Sequence, residues 1–131
     1  MTGTTEVLRT ITVESTVDLT KLSAAIEALA DTERTTTACA AAMAGPGGDM
    51  ATAVRADLDC VDVCHAVRQV LTRATADATL LRGLLVAAIA ACERSTRACE
   101  RHAEHHGHCR LCSEGTRATT AACRALLEDL T

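Results

Sequence analysis

Residues 88–127 read AIAACERSTRACERHAEHHGHCRLCSEGTRATTAACRALL, and this stretch decides the fold. Cys92, Ser95, Cys99 and His102 follow one another at steps of three, four and three. Cys112, Thr116, Thr119 and Cys123 follow at steps of four, three and four. At about 3.6 residues per turn, each set forms a stripe along one side of a helix. Between the sets, His105-His106-Gly107-His108-Cys109 breaks the pattern at a point where two antiparallel helices can meet. Helices that face each other with thiols, an imidazole and small hydroxyls do not build an ordinary apolar core. The pattern is that of a metal site inside a helical hairpin.

Working outward, the helix before the break begins near Asp77 and reaches about Glu104, opening with an aliphatic segment, Leu80, Leu81, Leu84, Leu85 and Ala88. The helix after it spans about His108 to Leu130. Upstream, a first helix from about Thr20 to Ala44 carries Leu22, Ala25, Ile26 and Leu29, then Thr32, Thr36, Cys39 and Met43, on one face. Gly45-Pro46-Gly47-Gly48 ends it, glycine suiting the cap and proline the stop. Asp49 is placed to cap the next helix, about Met50 to Ala74, whose face carries Met50, Ala53, Asp57, Cys60, Cys64, Val67 and Leu71. An inward Asp57 is costly unless paired or bound to a cation, and periodicity alone leaves it either inside or at the edge of the face. Residues 1–19 are polar and threonine-rich; Val7, Ile11 and Val13 could form a short extended piece or an extra turn, and no function is placed there.

Short links between four long helices favour an all-α, antiparallel up-down-up-down bundle, with residues 1–19 as an N-terminal extension and 20–131 as the metal-binding domain. In that topology Cys39, Met43 and Met50 lie at the same end as Cys99, His102, His106, His108, Cys109 and Cys112. Cys60 and Cys92 fall at middle depth. Cys64 and Cys123 lie deeper, toward Leu71, Leu81, Leu84 and Leu85. All eight cysteines then point into one tube with a His- and Met-bearing mouth.

Composition narrows the function. The formal charge is −4 and aromatic residues are absent, so nothing neutralises phosphates along a stripe or stacks on bases. No apolar run approaches the roughly 20 residues that span a bilayer. The opening MTGTTEVLRTITVEST lacks the charged and apolar regions of a secretory signal, so a cytoplasmic protein is expected. Thiols stay reduced there, which favours metal ligation over a disulfide scaffold.

Soft thiolate and thioether donors select Cu(I), zinc or iron–sulfur clusters. Cu(I) takes two or three sulfurs and tolerates bridging thiolates, which suits paired cysteines on helix faces. Zinc competes at the mouth, where Cys109-x-x-Cys112 has knuckle spacing and His102, His106 or Cys99 could complete four ligands. That reading leaves Cys60, Cys64, Cys92 and Cys123 unused. Iron–sulfur spacing is not matched. Cys64 and Cys123 taken singly read as core packing, Cys39, Met43 and Met50 singly either way, and His65 and His105 as surface groups.

LDCVDVCHAV at 58–67, CERSTRACERHAEHHGHCRLC at 92–112 and TAACRALL at 120–127 together resemble the cysteine-lined four-helix-bundle copper storage proteins. The resemblance implies an interior that binds Cu(I), in a cytosolic branch that is typically tetrameric. It implies Cys39, Cys60, Cys64, Cys92, Cys99, Cys109, Cys112 and Cys123 as ligands, with His102 and the mouth histidines as access-side groups. The chain departs from the family in its thinner thiol lining. Thr32, Thr36, Met43, Ala88, Ser95, Thr116 and Thr119 stand where the stripe predicts cysteine. The expectation is therefore a copper-storage-fold protein that holds a few Cu(I) ions. Two rivals remain open: a copper-dependent oxidoreductase on the same fold, with Cys99, His102, Cys109 and Cys112 as its working residues, and a zinc-stapled helical interaction module.

Overall fold

The computed structural model describes residues 3–11, 17–45 and 50–130. Val13, Pro46, Gly47, Gly48 and Asp49, to which the sequence assigns turn or capping roles, lie outside the described residues. Five helices occur in chain order: α1 (Thr4–Arg9), α2 (Leu19–Met43), α3 (Ala51–Thr72), α4 (Ala78–Glu100) and α5 (Gly107–Glu128). Among the described residues there is no strand. The four long helices begin and end within a few residues of the periodicity reading, except that α4 stops four residues short of the expected Glu104.

Helix α2 packs on α3 and α5, and α4 packs on α3 and α5, so sequence neighbours are spatial neighbours and the ring closes between first and last. This is the antiparallel square expected when three short links join four long rods. Local signals set the boundaries. The Asp18 side chain accepts from the Lys21 N–H, and the Asp77 side chain from the Leu80 N–H, each at 3.0 Å, capping α2 and α4. Helix α3 ends at Thr72 with Arg73 as its cap, and the next residue, Ala74, takes a left-handed φ of 53° while its N–H bonds the Leu71 carbonyl at 2.9 Å. An alanine there bears a Cβ clash that glycine would avoid.

The buried interior divides in two. One end is aliphatic: Leu22, Ile26, Leu29, Val67, Leu71, Leu81, Leu85 and Leu126 pack together, with Cys60, Cys64, Cys92 and Cys123 in the same cluster. The other end gathers Cys39, Met43, Ala53, Ala56, Ala98, Cys99, Cys109 and Cys112, with Met50 and Val54 against them. Within the aliphatic segment of α4 the structure corrects one residue. Leu80 lies on the solvent side of the stripe at 46% exposure, while Ile89, further along the helix, is buried. The N-terminal extension carries a short helix whose Leu8, not Val7 or Ile11, enters the core. It is tied to α2 by a 2.7 Å hydrogen bond between the Thr5 and Ser23 hydroxyls.

Candidate metal centre

Counting inward from the mouth, the four helices supply residues in register. Cys39 (α2), Asp57 (α3), Cys99 (α4) and Cys112 (α5) form one layer, each wholly buried. Three or four residues deeper come Thr36, Cys60, Ser95 and Thr116, and seven residues deeper Thr32, Cys64, Cys92 and Thr119, again all at 0% exposure. At 1.5 Å per residue, seven positions correspond to about 10 Å along the axis. Beyond them Leu29, Val67, Ala88 and Cys123 open the aliphatic end.

Among the described residues donor atoms converge at three places, in each of which all the donors lie within 4.8 Å of one another. The first is the mouth layer itself, Cys39, Asp57, Cys99 and Cys112. Cys99 donates to Cys112 across 3.5 Å and to Asp57 Oδ1 across 3.3 Å, and Ser95 Oγ donates to the same carboxylate oxygen at 2.7 Å. Burial, and then the neighbouring Cys112 charge, push the Asp57 carboxyl up to about 6. Hydrogen bonds from Cys39 and then Cys99 hold the Cys112 thiol well below its ordinary range, and the same bonds raise those of Cys39 and Cys99. One sulfur of the layer is thus favoured as a thiolate while its neighbours act as donors, which is the form that receives a soft cation.

The second group, Cys39, His108 and Cys109, sits outside the first and shares Cys39 with it. His108 Nδ1 lies 3.3 Å from Cys39 Sγ and 3.5 Å from Cys109 Sγ, and the two sulfurs are 3.9 Å apart. The His106 ring stands 5.3 Å from that of His108 and 6.4 Å from that of His102. The third group is the deep triangle of Cys60, Cys64 and Cys92, with edges of 3.7, 3.8 and 3.9 Å. Contacts with Cys64 and then Cys92 lower the Cys60 thiol, and those of Cys64 and Cys92 are raised.

The remaining expected ligands are placed differently. His102 belongs to none of the three groups. It follows the end of α4 in the turn segment 101–105 and, with Met50, Thr52, Ala53, Ala98 and Arg101, lines a cleft of about 210 Å³ beside the mouth. Met43 is buried against the mouth sulfurs. Cys123 is in none of the groups, and burial alone pushes its thiol up to about 12. Cys109 and Cys112, the pair with knuckle spacing, fall in separate donor groups, and neither His102 nor His106 joins either one. His65 faces outward, as expected, and bonds Glu33 at 2.8 Å. The structure resolves two points the sequence leaves open: Asp57 is inside, as a member of the mouth layer, and of the mouth histidines it is His108, not His102, that stands beside the thiols.

The hydroxyls among the sulfurs are tied down. Thr32 and Thr119 share a 2.7 Å hydrogen bond, Thr119 donates to the Ala28 carbonyl at 3.0 Å, and Thr116 pairs with Thr96 at 2.6 Å. Among the described residues no buried side-chain nitrogen or oxygen lacks a partner. These bonds clasp α2 to α5 and α5 to α4, replacing the packing that larger apolar groups would supply. All eight cysteines are free thiols and buried.

Known proteins share this fold. The family profile described as copper storage protein matches residues 18–128. No curated protein sequence matches the chain. Among solved structures, the copper storage protein Ccsp from Streptomyces lividans, loaded with 10 copper equivalents, superposes with a TM-score of 0.91 at 36% identity, covering 95% of this chain and 98% of that one. A variant of the same protein, with one histidine replaced by alanine, gives 0.84 at 37% identity, over 88% and 98% of the two chains. A five-copper state, described as a cytosolic copper storage protein from S. lividans, gives 0.79 at 38% identity, over 82% and 92%. No helix among the described residues is long and apolar enough to cross a membrane.

Proposed function

This chain belongs to the copper storage protein family, and we propose that it binds and holds Cu(I) in the cytoplasm through the thiolates inside its bundle. Copper enters at the histidine-bearing end. His108 with Cys39 and Cys109 forms the outer site; Cys39, Asp57, Cys99 and Cys112 form the mouth layer; Cys60, Cys64 and Cys92 form the deep one. Met43, Met50, His102 and His106 flank the opening and offer looser, exchangeable donors. Cys123 is the one expected ligand this assignment leaves to packing.

The observation that carries the reading is the deep triangle. Its edges put the centre about 2.2 Å from each sulfur, close to a metal–thiolate bond of about 2.3 Å. Among the described residues no fourth donor stands within 4.8 Å of all three to complete the tetrahedron that structural zinc takes. Three soft sulfurs, faced by hydroxyls that are poor ligands for a soft ion, suit Cu(I). At the mouth, a carboxylate in place of a fourth thiol keeps the layer's charge variable with pH, since Asp57 titrates near 6.

Anaerobic titration of the reduced protein with Cu(I) in the presence of a competing chelator tests the proposal. Two or more tightly held Cu(I) per chain are expected, with thiolate–metal absorption rising in an ultraviolet region free of Trp and Tyr. Fewer than two, or zinc in protein purified without added metal, would overturn it.

A further inference from the structure

We infer that the interior holds copper as two stores that do not merge: a multi-ion cluster at the mouth and a single three-coordinate Cu(I) ion at Cys60, Cys64 and Cys92. The inference rests on the copper reading above and deepens it. It is drawn from what faces each thiol rather than from the thiols alone. In the mouth layer every helix contributes a donor, so ions there are surrounded, and Cys39 belongs to both outer groups and can bridge them. At the deep triangle only α3 and α4 contribute sulfur. The α2 and α5 residues at that depth are Thr32, Thr36, Thr116 and Thr119, hard oxygen donors of little use to Cu(I).

Those hydroxyls are also already committed. Thr32 bonds Thr119 at 2.7 Å, and Thr116 bonds the Cys112 carbonyl at 3.1 Å. A second ion on the mouth side of the deep one would have to break these bonds to find even poor ligands, and Cys123, in the same cluster, lies on the opposite, aliphatic side. Between the stores, α4 presents Ser95, whose hydroxyl donates to Asp57 at 2.7 Å. Cys60 is the one sulfur at that intermediate depth, and it is drawn into the deep triangle by Cys64 and Cys92. A thiolate bridging two ions at about 2.3 Å per bond spans less than about 4.6 Å. Cys64 and Cys92 lie about 10 Å below the mouth layer, and Cys60, about 4.5 Å below it along α3, shares no donor group with a mouth sulfur. The hydroxyl wall therefore stops a thiolate-bridged chain from growing down the tube. The deep ion lies next to Val67, Leu85 and Ala88, and among the described residues no histidine joins its donor group to carry it out. It is filled after the mouth and released last.

The test strips copper-loaded protein with increasing Cu(I) chelator and follows copper per chain. Two phases are expected, the slower one corresponding to one ion. X-ray absorption on the wild-type protein at that residual stage should show three sulfurs and no copper–copper scattering. The Cys60→Ser/Cys64→Ser/Cys92→Ser variant should lose the slow phase and keep the fast one. A single stripping phase, or copper–copper scattering in the last ion removed, would overturn the two-store inference while leaving copper binding intact. Failure of the wild-type protein to take up Cu(I) at all would instead overturn the reading beneath it, so the two failures are told apart.

Discussion

Replacing Asp57 with Asn is expected to stabilise the metal-free protein at neutral pH while weakening its hold on copper. Asp57 is wholly buried in a layer that otherwise contains thiols, and its carboxyl is pushed up to about 6 from the ordinary 3.8. The native protein therefore keeps a proton on Asp57 through a range in which the unfolded chain has lost it. Between about pH 4 and pH 6 the folded state binds more protons than the unfolded one, so this group's contribution to stability falls as pH rises. A shift of roughly two units at about 1.4 kcal/mol each gives about 3 kcal/mol, lost in full above about pH 6 and not at all below about pH 4. Asn keeps the shape and can accept the Ser95 hydrogen bond through its amide oxygen, without the charge. The assay is thermal unfolding of reduced, metal-free protein by far-ultraviolet circular dichroism from about pH 3.5 to about pH 7.5, the window that brackets both ionisations. The Asp57 charge is coupled to the neighbouring Cys112 and Cys99 thiols, so the difference reads the carboxyl together with that coupling. Asp57→Asn should match wild type near pH 4 and melt roughly 10 °C higher at about pH 7. A difference that is independent of pH, or a variant less stable at neutral pH, would refute the reasoning.

Other expectations follow from the same geometry. Thr119→Val removes one partner of the buried Thr32 hydroxyl, which keeps its bond to the Gly115 carbonyl at 3.3 Å, and should cost about 1 kcal/mol, while Thr32→Val/Thr119→Val should cost less than the sum of the singles, as a denaturant double-mutant cycle would reveal. Ala74→Gly relieves a left-handed alanine at the end of α3 and should raise stability by about 1 kcal/mol in urea unfolding. His108→Ala should lower copper affinity in chelator competition more than His102→Ala does, because His108 stands within 3.5 Å of two sulfurs and His102 joins no donor group.

Most of this architecture is legible in the sequence because both devices that create it are periodic. Apolar and sulfur residues at three- and four-residue steps define four rods, and short links force neighbours to run antiparallel. Depth follows from counting, so Cys39, Cys99, Cys109 and Cys112 are expected together and are found together. What fails is what periodicity does not encode. The stripe through Cys92, Ser95 and Cys99 extends to His102 only if the helix continues, but α4 ends at Glu100 and His102 falls out of line. His108 gains its place instead, because the next helix starts at Gly107 and turns that ring toward Cys39. For Asp57, spacing permits an inside or an edge position; only the neighbouring Ser95 and Cys99 donors make the inside one tolerable. The short helix α1 is opaque for a simpler reason: one buried leucine in a threonine-rich segment carries no period to read.

Whether copper resides on sulfur within the bundle is tested most directly by a crystal structure of the Cu(I)-loaded protein, with anomalous scattering recorded at the copper edge. Peaks are expected within bonding distance of Cys99 and Cys112 at the mouth, with one isolated peak centred among Cys60, Cys64 and Cys92. Copper confined to the exterior histidines, with those interior sulfurs unligated or oxidised in pairs, would contradict that placement.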